Sequence, residues 1–332
     1  MPGIHEVHHV MEGTVNTLSI LFNVYLLYLI KYHSAFGVKL YQYLLTIDAL
    51  LDLALSISAF IAQPVVLNAD GYSTLISNGF FAGRSASFDS FAVMVYLTIV
   101  HTNIIWIPVQ FIYRYLFLCK ANTKSKRFTI FVITIAVAQS AITIFITFCA
   151  FGEVREEFQP IGHHVLELNS WPNPGRIYVL GGHLTEWQLI GCLISWNITC
   201  SGSIVIVAWC EKKIANSFNW LGQHSTNSGT QKMHKEFQRA LLAMAISPLV
   251  SSTIPALCFI TVAALKLRPG AIPSALVSLC LSSVTLFNPL TTIICFRSYR
   301  QATIRLLTCG QFGKSQRNVV HITIPSGITT NN

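Results

Sequence analysis

The stretch FTIFVITIAVAQSAITIFITFC, which is Phe128–Cys149, contains no charged side chain. A helix must be about 20 mostly apolar residues long to cross the hydrocarbon core of a bilayer. It must also satisfy its own backbone polar groups there, because lipid offers them no partner. Phe128–Cys149 is long and apolar enough, and it is therefore predicted to be a membrane-spanning helix.

Six further stretches have the same length and apolar character. Only 11% of the 332 residues are charged, whereas an average soluble domain has about 25%. The sequence therefore predicts an all-α membrane protein, a seven-transmembrane helix bundle that occupies residues 1–309 as one domain. The remaining residues, 310–332, end in Ser-, Thr- and Asn-rich sequence and are predicted to form a disordered tail. The other six predicted spans are Gly13–Ile30, Tyr43–Val66, Phe91–Leu118, Trp187–Trp209, Ala240–Leu265 and Pro273–Phe296.

Lys and Arg residues lie mainly on one side of the predicted bundle. Cytoplasmic loops of membrane proteins carry an excess of these residues. Of the 22 Lys and Arg residues, 17 lie at or beyond the ends of the first, third, fifth and seventh spans. This bias predicts an N-terminus outside the cell and a cytoplasmic C-terminal tail. The 17 residues are Lys31, Lys39, Arg114, Lys120, Lys124, Lys126, Arg127, Lys212, Lys213, Lys232, Lys235, Arg239, Arg297, Arg300, Arg305, Lys314 and Arg317.

Polar side chains inside the predicted spans need an explanation, because an ionised group there costs about 2.5–3.5 kcal/mol on insertion scales. Asp48 and Asp52 are four residues apart and so lie on one face of the second helix. At about 1.5 Å per residue, Asp52, Asn23 and Asn288 lie at similar depths, roughly 10–13 Å from the cytoplasmic end. We expect these three to form one hydrogen-bonded cluster. The cluster is either a conformational switch or cation site, or a structural contact between helices.

Three further residues are candidates for conformational change. Arg114, flanked by two tyrosines, ends the third span at the cytoplasmic surface. It either extends to the lipid interface or changes partner when the bundle opens. The Asn288-Pro289 pair in the seventh span favours the second of these readings. Pro248 and Pro255 in the sixth span remove backbone donors and favour kinks. Pro255 is either the candidate hinge or a packing residue.

The segment after the last span is basic and amphipathic. Arg297–Cys309 is predicted to form a short eighth helix with Ile304, Leu306 and Leu307 as its apolar residues. Cys309 at its end is either an unmodified cysteine or the site of a palmitoyl anchor, which would add a second attachment to membrane lipid.

Together these features resemble the G-protein-coupled receptors and, more narrowly, the nematode serpentine chemoreceptors of the Str superfamily, class D branch. The chain departs from the common rhodopsin-like pattern in two respects. No carboxylate directly precedes Arg114, and residues 66–118 contain no cysteine for an external disulfide. The stretches that carry the resemblance are Tyr41–Leu45 with Asp52, Gln63-Pro64, Gln110–Tyr115 (QFIYRY), His234–Pro248 (HKEFQRALLAMAISP) and Asn288–Arg300 (NPLTTIICFRSYR).

The resemblance implies a chemosensory receptor in the plasma membrane, in the ciliary membrane of sensory neurons. Such a receptor binds an odorant or pheromone-like small molecule and activates a heterotrimeric G protein. We expect the ligand between the outer halves of the third, fifth, sixth and seventh helices. Tyr96, His101, Trp196 and Asn197 there are either ligand contacts or ordinary packing residues. The long segment Ala150–Glu186 between the fourth and fifth spans is expected to form a partial lid.

The G-protein contact is predicted at Arg114 together with Lys232, Lys235 and Arg239. The last three precede the sixth helix, so an outward swing about Pro255 would carry them furthest. The alternative is attraction to anionic lipid, which contributes about 1 kcal/mol for each basic residue without any protein partner.

A seven-helix channel or transporter for small molecules or ions is the alternative function. Channels of the insect odorant-receptor type have the opposite topology, and transporters usually contain internal repeats, which this sequence lacks. Of the eleven histidines only His101 lies well inside a span, and no nucleophile or phosphate-binding motif occurs. We therefore expect no enzymatic activity, no metal or other cofactor, and no nucleic-acid partner.

Overall fold

The computed structural model describes residues 3–33, 39–119, 124–171, 177–224, 246, 254–265 and 270–308. Six helices in this part of the chain are long and apolar enough to cross a membrane. A further helix, Ile254–Ala264, is the described part of the predicted sixth span. The helices are α1 (Ile4–His33), α2 (Lys39–Ala62), α3 (Ala86–Cys119), α4 (Lys124–Phe151), α5 (Gln159–Leu168), α6 (Trp187–His224), α7 (Ile254–Ala264), α8 (Ala271–Cys295) and α9 (Arg297–Leu307).

The prediction of a seven-helix bundle is confirmed, with α1–α4 and α6–α8 as the spanning helices. Helix α1 packs against α2 and α8, and α3 contacts α2, α4 and α6. Helix α3 therefore lies in the interior of the bundle, and its side chains face α2, α4 and α6. Helix α1 begins at Ile4, nine residues before the predicted span, and carries polar residues into the bundle.

The second span is shorter than predicted. The apolar sequence continues to Val66, but α2 ends at Ala62, Gln63 has a positive φ of 39°, and Pro64 begins a strand. Proline cannot donate the next helical hydrogen bond, and it disfavours the helical conformation of the residue before it. The predicted boundary at Val66 was therefore wrong.

A three-stranded antiparallel sheet, which the sequence analysis did not predict, covers the side of the bundle that carries the N-terminus. Strand β1 (Pro64–Ala69) forms a hairpin with β2 (Tyr72–Ser77), and β3 (Val179–His183) pairs with the other edge of β2. Asp70 and Gly71 form the two-residue turn with φ values of 52° and 81°, as a primed hairpin turn requires.

The two faces of the sheet pack against different parts of the protein. Val66 and Leu75 line a cavity in the bundle. Val65 and Leu67 instead join an apolar cluster with the buried Trp171 and residues of α5. This alternation follows from the two-residue period of a strand. The segment Ala150–Glu186, expected as a partial lid, thus supplies β3 and α5 to the cover.

The predicted amphipathic eighth helix is present as α9. Tyr299 is fully buried in a cluster with residues of α1 and α8, whereas Ile304, Leu306 and Leu307 are exposed. An exposed apolar face next to a membrane-spanning bundle suits contact with lipid. Cys309 and residues 310–332 lie outside the described residues.

Candidate functional site

A cavity of about 150 Å³ lies directly beneath the sheet, between α3, α4, α6 and α8. Its lining is mainly apolar, with hydroxyl groups from Tyr96, Thr147 and Ser278. No charged side chain is among the described residues of the lining. The apolar part of the lining includes Leu97, Val100, Phe151, Leu193, Val277 and Leu281.

The structure separates the four predicted ligand contacts into two groups. Tyr96 and Trp196 line the cavity. His101 is buried behind Trp196, with the two ring centroids 5.3 Å apart, and its ring nitrogens have no hydrogen-bond partner among the described residues. Asn197 accepts a hydrogen bond from Ser201 at 3.3 Å and is not part of the lining.

A hydrogen-bonded cluster around Asp52 lies deeper in the bundle. The Asp52 carboxylate is fully buried and accepts hydrogen bonds from the side-chain amides of Asn103 at 2.9 Å and Asn288 at 3.0 Å. The three residues belong to α2, α3 and α8, so one carboxylate joins three helices. Two of the three predicted cluster members, Asp52 and Asn288, are therefore in direct contact.

Asn23, the third predicted member, has a different role. Its amide nitrogen donates to the Thr285 carbonyl at 2.9 Å and to the Ser19 carbonyl at 3.0 Å. Thr285 precedes Pro289 by four residues, so Pro289 cannot donate to that carbonyl in the helix. Asn23 supplies the missing donor from α1. Asn23 also donates to the Ser19 hydroxyl, which pairs with the Ser56 hydroxyl at 2.7 Å, and Ser56 donates to the backbone carbonyl of Asp52 rather than to its carboxylate.

A similar contact occurs at Pro108 in α3. Proline at this position leaves the Ile104 carbonyl without its helical donor. The Ser203 hydroxyl of α6 approaches that carbonyl at 3.4 Å. The Ser203 hydroxyl carries one proton, and the Thr199 carbonyl at 2.8 Å is its nearer acceptor. The carbonyl freed by Pro289 therefore has a firm donor from a neighbouring helix, whereas the contact at Pro108 is weaker.

Asp48 lies on the same face of α2 as Asp52, as predicted. Its carboxylate accepts a hydrogen bond from Gln110 of α3 at 2.6 Å. Asn103 and Gln110 are seven residues apart, which is two helical turns, so they present a matching face to α2. The QFIYRY stretch is therefore attached to α2 through its first residue.

The described part of the chain contains little of the predicted coupling region. Arg114 belongs to α3, but its side chain lies outside the described residues, as do Lys232, Lys235 and Arg239. Tyr115 next to Arg114 is buried and packs edge-on against Trp209, with ring centroids 5.1 Å apart. Pro255, the candidate hinge, is the second residue of α7.

Glu12 and His8 form a buried pair near the N-terminal end of α1. The His8 Nε2 and Glu12 Oε2 atoms are 2.8 Å apart, and both side chains are almost completely buried. The other carboxylate oxygen accepts a hydrogen bond from Ser282 at 2.6 Å. The hydroxyl oxygen of Ser278, also on α8, lies 3.4 Å from it. Ser278 also lines the cavity, so this pair is adjacent to it.

An ion pair fastens the end of β3. Arg155 contacts Glu186 at 2.8 Å and also donates to the Gly181 carbonyl, while Glu186 accepts the His183 amide at 2.9 Å. Partial burial of the Glu186 carboxylate raises its pKa. The hydrogen bonds from His183 and Arg155 and the charge of Arg155 outweigh this effect and lower the pKa below the ordinary 4.5. A carboxyl group whose pKa is lower in the folded state stabilises the fold at pH values above 4.5, and this stabilisation is lost as the pH falls through the folded-state pKa. The contact is therefore intact at neutral pH.

Sequence reasoning missed the partners that complete both polar sites. Asn103 and Gln110 were identifiable as amides two turns apart on a spanning helix. Glu12 lies one residue before the predicted first span, which began at Gly13, and so it was not among the polar residues considered inside the membrane. The spacing of His8 and Glu12, one helical turn apart, was the available signal for their contact.

Comparisons with known proteins agree with this geometry. The chain is similar in structure to squid rhodopsin, with a TM-score of 0.61 and 12% sequence identity over 98% of this chain and 94% of that one. At this identity the likeness shows the fold alone. No curated protein sequence matches the chain significantly. A family model does match residues 9–305, that of the "Serpentine type 7TM GPCR chemoreceptor Srd". The chain therefore belongs to the Srd family of serpentine seven-transmembrane chemoreceptors, within the G-protein-coupled receptors.

Proposed function

We propose that the chain is a plasma-membrane chemosensory receptor that binds an odorant or pheromone-like small molecule and activates a heterotrimeric G protein. The observation that carries this proposal is the apolar cavity beneath the sheet, because a concave apolar site with a few hydroxyl groups suits small-molecule binding. A cavity of similar volume in another protein holds benzene, a molecule with about six non-hydrogen atoms. The ligand is therefore small and largely apolar.

The helices that line the cavity also carry the buried polar cluster, which supports a route from ligand to G protein. Tyr96 of α3 precedes Asn103 by seven residues, or two helical turns, and Leu281 of α8 precedes Asn288 by the same interval. A ligand that favours one arrangement of α3 and α8 therefore also favours one arrangement of the Asp52 hydrogen bonds. Ligand binding then shifts the population toward the form open to the G protein.

The opposite end of the bundle is the proposed site of G-protein contact. Arg114 lies eleven residues beyond Asn103 on α3, and the segment 232–239 precedes the sixth span. The distribution of Lys and Arg supports an extracellular N-terminus, which places the cavity outside and Arg114 inside. Family membership supports the ciliary membrane of sensory neurons as the location.

An epitope tag at each end of the chain tests the orientation. The N-terminal tag is expected to stain in intact cells, whereas the C-terminal tag stains after permeabilisation. Surface staining of the C-terminal tag in intact cells would exclude the proposed receptor.

A pair of neighbouring substitutions tests the cavity. Cells that express the chain with a promiscuous G protein are screened with a panel of small odorants. Val277 lines the cavity, whereas Leu276 is exposed on the outer surface of α8. Val277→Phe is expected to fill the cavity and abolish the response at normal surface level, while Leu276→Phe retains it. Equal responses of the two variants would place the binding site elsewhere.

A further inference from the structure

A carboxylate lies directly behind one wall of the cavity. Glu12 has no solvent exposure, and its Oε1 atom is 3.4 Å from the hydroxyl oxygen of Ser278. Ser278 and Pro64 both line the cavity. Thus one serine side chain separates a buried carboxylate from the space that a ligand would occupy.

The contacts of His8 leave one oxygen of Glu12 without a firm donor. The side-chain amide nitrogen of Asn78 lies 3.2 Å from His8 Nδ1 and also donates to the His5 carbonyl at 3.3 Å. An amide nitrogen can only donate, so His8 Nδ1 is the acceptor of this contact. His8 Nε2 lies 2.8 Å from Glu12 Oε2, but neither of these two atoms has a hydrogen bond among the described residues.

Within the described residues, Glu12 has no Lys or Arg partner. A buried carboxylate without a counter-charge is costly, and a cation nearby would reduce that cost. The cavity offers the adjacent space for such a cation. The aromatic rings of Tyr96 and Trp196 in its lining are also groups that attract ammonium ions.

Glu12 Oε1 has one firm donor among the described residues. Ser278 carries one hydroxyl proton, and its oxygen is 2.6 Å from the Pro64 carbonyl but 3.4 Å from Glu12. The proton therefore serves Pro64, and the firm donor to Glu12 Oε1 is Ser282 at 2.6 Å. Oε1 thus lacks a close donor from Ser278, whose side chain stands between Glu12 and the cavity.

We infer that Glu12 is a specificity-determining residue of the cavity and that the receptor prefers small ligands with a protonated amine. The ammonium group sits beside Ser278 against Glu12, and the apolar remainder fills the space between α3, α6 and α8. This inference rests on the proposed ligand-binding role of the cavity. It adds a ligand class, because the cavity lining alone would suit neutral molecules equally well.

The test compares n-pentylamine with n-pentanol, which have the same number of non-hydrogen atoms. Binding is measured on the purified full-length receptor as the concentration dependence of its Tm, and activation is measured in cells. Since a hydrogen bond to a charged group contributes about 1.5–3 kcal/mol, the wild type is expected to bind the amine at least about tenfold more tightly. Glu12→Gln is expected to lose this preference while its affinity for pentanol changes by less than about threefold.

A second variant keeps the test valid if Glu12→Gln fails to fold. Ser278→Val leaves Glu12, Ser282 and His8 in place but puts an apolar group between the carboxylate and the cavity, so the amine preference is expected to fall. Ser283→Val is the matched control. Ser283 lies on the same helix outside the described cavity lining, and its hydroxyl donates to the Cys280 carbonyl at 2.8 Å, so the amine preference should persist.

The outcomes separate this inference from the proposed function. Binding of pentanol with equal or weaker binding of pentylamine would overturn the role of Glu12 and leave the small-molecule receptor intact. An amine preference that survives both Glu12→Gln and Ser278→Val would also overturn it. Failure of both probes to bind, together with failure of the odorant panel, would overturn both the inference and the function of the cavity.

Discussion

The Asp52 cluster predicts different outcomes for two substitutions at one position. Asp52→Ala removes the acceptor of both Asn103 and Asn288 and leaves two buried amide donors without partners. An unsatisfied buried donor costs about 1–3 kcal/mol, so the variant is expected to lose about 2–6 kcal/mol of stability. Asp52→Asn keeps an acceptor oxygen for one of the two amides. The other amide, that of Asn288, has an oxygen without a hydrogen-bond partner in the described structure. A flip of this amide restores the second hydrogen bond but leaves its nitrogen where the oxygen had no partner, so one buried donor is unsatisfied.

Asp52→Asn is therefore expected to fold with a loss of about 1–3 kcal/mol, half that of Asp52→Ala. Tm of the detergent-purified receptor, surface level and dose response to an agonist from the odorant panel are measured for both variants. A changed dose response of Asp52→Asn at normal surface level would identify the negative charge as part of the switch. If Asp52→Asn is as unstable as Asp52→Ala, the negative charge of Asp52 is essential for packing. This result would refute the argument that a flip of the Asn288 amide restores its hydrogen bond. A normal Tm of Asp52→Ala would refute the hydrogen-bond argument itself.

Three further predictions concern the prolines, the sheet and the coupling region. Asn23→Val removes the donor for the carbonyl that Pro289 leaves free and is expected to lower the stability of the receptor by about 1–3 kcal/mol. The double variant with Pro289→Ala regains stability through the restored helical hydrogen bond. If the Tm of the double variant does not recover, Asn23 does not have this role. Gly181 has a φ of 132° and faces a backbone oxygen of β2, so Gly181→Ala adds about 1–3 kcal/mol of backbone strain and opens β3 to limited proteolysis. Gly202→Ala, where the new methyl group meets no atom within 4 Å, is its control and should leave the cleavage rate unchanged. Arg114→Lys keeps the charge but not the planar arrangement of guanidinium donors. Surface level and ligand binding are therefore expected to stay normal, while G-protein activation falls sharply. Unchanged activation would remove Arg114 from the coupling site.

Part of the polar architecture was predictable because helical periodicity fixes which side chains share a face. Asp48 and Asp52 were placed on one face of α2 from their spacing, and the similar depth of Asp52 and Asn288 predicted their contact. Depth alone did not identify the neighbour in the plane of the membrane. Asn103 is a partner of Asp52 because α3 lies next to α2, and the order of helices around the bundle is set by packing between helices rather than by hydropathy.

The chain's sequence by itself determined the number of spans, their approximate limits, the amphipathic α9 and the family resemblance. These features depend on local composition, because a membrane span is a continuous apolar stretch and a helix face repeats every three to four residues. The tertiary structure alone decided that the residues after Ala62 leave the helix and form β1 and β2. It also decided that β2 pairs with β3, more than a hundred residues later in the chain. It also decided that Glu12, eleven residues from the first residue of the chain, lies fully buried beside the cavity and is held by hydroxyl groups of α8. Contacts between segments so distant in sequence form only when the whole bundle packs, so no local pattern of residues encodes them.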